Sequence, residues 1–67
     1  MITLRINGEP RQFPAPLSIA ELVAALDLTG KRIAIEVNGD IVPRSQHDAA
    51  RVADGDRLEI VVAVGGG

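Results

Sequence analysis

Three consecutive glycines, Gly65, Gly66 and Gly67, follow directly on the apolar run Val61-Val62-Ala63-Val64. The group with usable chemistry at that end is the carboxyl of Gly67. With an ordinary pKa of roughly 3.5 it is an anion at neutral pH and a poor electrophile, so it becomes an acyl donor only after activation. Glycine suits such a role. Without a Cβ it lets a thread of chain enter a narrow active site and leaves the terminal carbonyl unobstructed. Three extended residues reach roughly 10 Å, enough to carry the reacting atom clear of a domain surface.

Other chemistry is poorly supplied. There is no cysteine, which removes disulfides, a thiolate nucleophile and Cys-ligated metal together. His47 and Asp48, with Asp54 and Asp56 further on, match neither the spacing of an EF-hand nor that of a zinc motif and read as solvated turn residues. No G-x-x-x-x-G-K-[ST] loop is present to hold ATP. A net charge of −2 and a single aromatic, Phe13, give neither the basic face nor the stacking platforms of a nucleic-acid binder. The start of the chain lacks the pattern of a signal peptide, and no apolar run approaches a membrane span, so a soluble cytoplasmic protein is expected. Sixty-seven residues make one domain, with a radius of gyration of about 11 Å, too small for an enclosed ligand pocket and a catalytic apparatus. The chain is expected not to be an enzyme.

The elements that must carry the glycine end are legible. Ile2, Leu4 and Ile6 alternate with polar residues as in a half-buried strand, and Asn7-Gly8 signals a hairpin. Pro10 puts the returning strand at a sheet edge, with Phe13 turned inward. Ser18 and Glu21 have capping-box spacing, Leu17 and Leu22 that of a hydrophobic staple, and Ile19, Leu22, Val23 and Leu26 form one apolar stripe. Gly30 suits the left-handed residue past the helix end. Ile33, Ile35 and Val37 alternate again, Asn38-Gly39 marks a second hairpin, and Pro43 closes its return strand. The stretch 45–56 reads as one helical turn entered at Ser45 or Asp48, then a turn at Asp54-Gly55-Asp56. In the last strand Leu58, Ile60, Val62 and Val64 share one face, and Arg57, Glu59, Val61 and Ala63 the other. With one helix available, the second face stays uncovered, so Val61 and Ala63 are candidates for docking a partner. Arg44 is either a partner-binding residue or an exposed charge.

Strand order and the glycine terminus together resemble the β-grasp fold of ubiquitin-like proteins, and more closely the ThiS family, the sulfur carriers of thiamin thiazole biosynthesis. "RINGEPR", "EVNGDIVPRSQ" and the terminal glycines carry the resemblance, which covers the whole chain, and the middle stretch is its most specific part. His47 departs from the pattern, since relatives often have an aromatic residue there. The resemblance implies an α+β fold, a mixed four- to five-stranded sheet packed on one helix. Residues 1–64 would form the domain and residues 65–67 a flexible tail. It implies adenylation of Gly67 by an E1-like, ThiF-type enzyme that uses ATP. Sulfur from a donor such as a cysteine desulfurase would then make a thiocarboxylate that supplies a ThiG-type thiazole synthase. No cofactor would be bound by the chain itself. The alternatives keep the fold and change the destination: molybdopterin synthesis, conjugation to proteins, or a passive interaction module.

Overall fold

Ile2, Leu4 and Ile6 are the buried residues of β1 (Ile2–Ile6) in the computed structural model, which describes residues 1–63. The chain reverses at Asn7 and Gly8, with φ of 51° and 86°. Positive φ at both central positions is the type I′ turn that matches the twist of a hairpin. β2 (Glu9–Phe13) then pairs antiparallel with β1, from Ile6↔Glu9 to Ile2↔Phe13. It lies at the sheet edge, where Pro10 costs the ladder nothing.

The helix entry is fastened at every early amide. α1 (Ile19–Ala25) starts from a complete capping box: Glu21 N–H donates to Ser18 Oγ (3.0 Å), and Ser18 N–H donates to Glu21 Oε1 (2.8 Å). The Ile19 and Ala20 amides donate to the carbonyls of Ala50 and His47, each at 2.9 Å. The orphan donors of the first turn are thus satisfied by two segments, the capping box itself and the stretch from His47 to Ala50. At the other end the structure corrects the sequence reading. The left-handed residue just past the helix is Asp27 (φ 60°), not Gly30, which has φ 84° in the following turn. Leu28 N–H reaches Val23 C=O at 2.9 Å and Asp27 N–H reaches Ala24 C=O at 3.1 Å, the paired bonds of a Schellman motif. Reversal here brings Leu28 against the core, and aspartate tolerates the conformation better than most residues.

β4 (Ile33–Val37) and β5 (Asp40–Val42) form the second hairpin around Asn38 and Gly39, at φ 52° and 89°. A 3-10 turn at Arg44–Gln46 begins one residue ahead of Ser45 and well before Asp48, the two expected entries. Two short strands were not foreseen: β3 (Leu17–Ser18) and β6 (Arg51–Val52) pair antiparallel and bury Leu17 and Val52. β7 (Arg57–Val62) lies in the middle of the main sheet, ordered β2-β1-β7-β4-β5, parallel to β1 and antiparallel to β4. The architecture is the mixed five-stranded sheet on one helix, with Leu4, Ile35 and Leu58 of the sheet and Ile19 and Leu22 of the helix fully covered. Burial of each such aliphatic side chain stabilises the fold by about 1.5–3 kcal/mol. The radius of gyration is 11.4 Å.

Candidate docking face and carrier arm

β7 points a different set of residues at each side of the sheet. Leu58 and Ile60 face the helix and are buried, while Arg57, Glu59, Val61 and Ala63 face outward. Val61 is 61% exposed, large for an aliphatic side chain. Val62, expected on the buried side, is 37% exposed, because the helix ends too early to cover it. Along the outer face the character changes with position. Glu36 stands opposite Glu59, and one step on Ala34 stands opposite Val61. The face passes from charged to apolar toward the end of β7.

Val61, Ala63 and Arg44 come together. With Arg32, Ile33 and Ala34 they line one open depression of about 320 Å³. Arg44 Nη2 donates to Lys31 C=O (3.2 Å), which holds the guanidinium beside the apolar floor. The depression carries two arginines and no carboxylate, in a chain whose net charge is −2. An apolar surface rimmed by cations fits a partner that offers aliphatic side chains flanked by acidic ones. Arg32 was not singled out from the sequence. It is placed by the bond from Ala63 N–H to its own C=O (2.8 Å), a pairing no local pattern reveals. Exposed Ile41 was missed as well. It pairs with Glu36 and belongs to the same face.

The remaining candidates sort into structural roles. His47 donates its Nε2–H to Val42 C=O (3.2 Å). Asp54 accepts from Thr3 N–H (2.7 Å), and Asp56 accepts from Ala53 N–H (2.8 Å) and Asn38 Nδ2 (3.1 Å). These carboxylates close turns, and no group of three potential metal ligands forms among the described residues. Glu21 is held below the usual carboxylate range, first by the Ser18 backbone N–H, then by the Ser18 hydroxyl and the Arg51 charge. That group serves the helix entry, far in role from the docking face. Gly65, Gly66 and Gly67, with Val64, lie outside the described residues. No helix among those described is long and apolar enough to cross a membrane.

The fastening of β7 changes along its length. Ala63 N–H bonds Arg32 C=O and Asn38 N–H bonds Arg57 C=O (2.7 Å), so the odd-numbered positions of the strand bond to β4. Leu58, Ile60 and Val62 turn their backbone groups the other way. Asn7 N–H takes Leu58 C=O (2.9 Å), and the Asn7 side chain takes both groups of Ile60. At Val62 no strand remains opposite among the described residues.

Comparison with known proteins agrees with this geometry. The sequence profile of the ThiS family matches residues 4–67. A thiazole synthase of Paramagnetospirillum magneticum is 44% identical over 64 residues, which cover 96% of this chain but 20% of that protein. The chain therefore spans about a fifth of the length of that relative. The uncharacterized protein ycf40 of Porphyra purpurea is 41% identical over 66 residues, covering 98% of this chain and 93% of that one. In the crystal structure of the thiamine biosynthesis protein ThiS from Geobacter metallireducens the fold recurs with a TM-score of 0.83 at 33% identity, over 98% of this chain and 100% of that one.

Proposed function

This chain belongs to the ThiS family, and from that premise we propose that it is a sulfur carrier of thiamin biosynthesis, a substrate of other enzymes rather than a catalyst. The observation that carries the reading is the family match running to residue 67, so that it includes the three glycines. Residues 1–64 are the domain and Gly65, Gly66 and Gly67 the arm. A partner adenylates the Gly67 carboxylate with ATP, releasing pyrophosphate. A donor at the oxidation level of sulfide then displaces AMP, and the terminal group becomes a thiocarboxylate. A cysteine desulfurase supplies that sulfur as a persulfide, from which a thiol reductant releases it at the sulfide level while the thiol itself is oxidised to a disulfide. The depression formed by Val61, Ala63 and Arg44 docks the adenylating enzyme, a surface whose apolar floor and cationic rim support the assignment. Thiazole synthase receives the sulfur. In its favour, a stretch similar to this whole chain occurs within a longer protein named thiazole synthase. The cycle needs ATP, which the cytoplasm supplies.

The test is the mass of the C-terminal peptide after incubation with the adenylating enzyme, ATP and sulfide. One oxygen-to-sulfur exchange is expected at Gly67, only when ATP is present. Adding a residue after Gly67 should abolish it, since the new carboxylate would stand about 3.5 Å further along the thread, and even 1 Å can cost about 100-fold in rate. A terminus that stays unmodified with competent partners would overturn the assignment.

A further inference from the structure

Asn7 was legible in the sequence only as half of a turn signal. In the structure it does a second thing, across 53 residues of chain. Ile60 N–H donates to Asn7 Oδ1 (2.8 Å), and Asn7 Nδ2 donates to Ile60 C=O (3.1 Å). The carboxamide has the same donor and acceptor as a peptide unit, so it supplies the next rung of the β1–β7 ladder after the β1 backbone has already turned away. The true strand pairing ends at Ile6↔Leu58. Asn7 therefore extends the two-sided part of β7 by one rung, to Ile60. Past that point the strand is held by β4 alone, up to the bond from Ala63 to Arg32.

We propose that Asn7 is a positioning residue for the carrier arm: its side chain fixes where the doubly held strand stops and so steadies the end of β7 that carries the arm. The proposal rests on the carrier reading above. Three residues, Val61 to Ala63, follow the clamp on β4 alone before the chain passes into Val64 and the glycines. An active site that accepts the tip while the outer face is docked must meet an arm of set origin. Without the Asn7 bonds, β7 is held from both sides only as far as Leu58, and the stretch from Glu59 to Ala63 hangs on β4 alone. The docking depression lies on the far face of the sheet and contains neither Asn7 nor Ile60. Docking and delivery are thus governed by different residues of one strand.

Two measurements test this on the full chain. In hydrogen exchange, Asn7→Ala should speed exchange at the Ile60 amide by about tenfold or more, because its sole acceptor among the described residues is gone. In ATP-dependent thiocarboxylate formation with the adenylating enzyme and sulfide, the same variant should lower kcat by about tenfold or more with KM unchanged. The split discriminates. The carrier is the substrate, so a role in folding alone would remove competent substrate and raise the apparent KM at unchanged kcat. That result, or an unaltered kcat, would overturn the proposal.

Asn7→Asp keeps it testable should Asn7→Ala not fold. When protonated, the new carboxyl both accepts and donates like the amide. When ionised, it turns a negative oxygen toward Ile60 C=O. That contact raises its pKa in the folded state, so its stability should match the parent chain's below the unfolded value of about 3.9 and fall away as pH rises through the raised one. Glu9 and Arg11 of β2 line a second depression together with Asn7 and Ile60, and Arg5 reaches Gly8 C=O from β1, but the parent carries all three and serves as control. Identical pH dependence of the two proteins would overturn the clamp. Absence of thiocarboxylate from the parent chain would instead remove the carrier reading and leave the exchange result standing.

Discussion

The two faces of β7 share one backbone and almost nothing else. On the inner face Leu58 and Ile60 are 2% and 8% exposed and belong to the core. On the outer face Glu59 is set opposite Glu36, and Val61 stands in water beside two arginines. Like charges directly opposite on neighbouring strands are mildly destabilising, and an exposed valine gains little from the fold. The outer face is therefore arranged for something other than stability. Because side chains alternate with period two, neighbouring residues can serve the fold and recognition without compromise.

Mutations on the two faces should separate cleanly. Leu58→Ala is expected to have the largest effect on stability, about 2–5 kcal/mol, from lost burial and the cavity left behind. Urea unfolding measures it, and a loss no greater than that of an outer-face substitution would break the distinction. Ser18→Ala acts on the helix that makes the inner face an interior, and should cost about 1 kcal/mol through the lost cap. Its effect has a pH signature. Glu21 has its pKa lowered in the folded protein, so its contribution is complete above the ordinary value of 4.5 and is lost as pH falls through the lower folded one. Part of that lowering comes from the Ser18 hydroxyl, so the gap between the two proteins should narrow in acid. Smallest in stability are Val61→Lys and a chain ending at Val64, both expected within about 0.5 kcal/mol. Val61→Lys should nevertheless weaken association with the adenylating enzyme by over about 1 kcal/mol, read by titration calorimetry. Unchanged binding would place the docking face elsewhere.

What the sequence disclosed was what short stretches can encode. Asn-Gly twice gave the turns, Ser18 and Glu21 the helix start, and period-two alternation the faces of β1, β4 and β7. Pro10 placed β2 at the edge because a missing N–H has meaning by itself. What stayed hidden depends on distant partners. β3 and β6 have two residues each, too few for any periodicity, and exist because each completes the other. The helix stops at Ala25 since burial of Leu28 rewards a reversal at Asp27, although Gly30 is the better residue for that conformation. For Arg44 the sequence left two readings open. Its guanidinium bonds Lys31 C=O in the depression shared with Val61 and Ala63, and the neighbourhood, not the residue, gives it a candidate role.

β7 is late in the chain and central in the sheet. A chain cut before Arg57 would leave the β1–β2 and β4–β5 hairpins with no strand between them, and isolated hairpins are marginal in water. Synthesis runs from the N-terminus, so the pieces made first must wait for the piece made last. Val61 also joins Ala34 and Arg44 only once that strand is in place. A molecule clipped or half-made before Arg57 thus lacks that depression, and under the proposed function it would offer an activating enzyme no surface to grip. Folding itself inspects the chain, since the depression exists only in molecules that carry their sequence through β7.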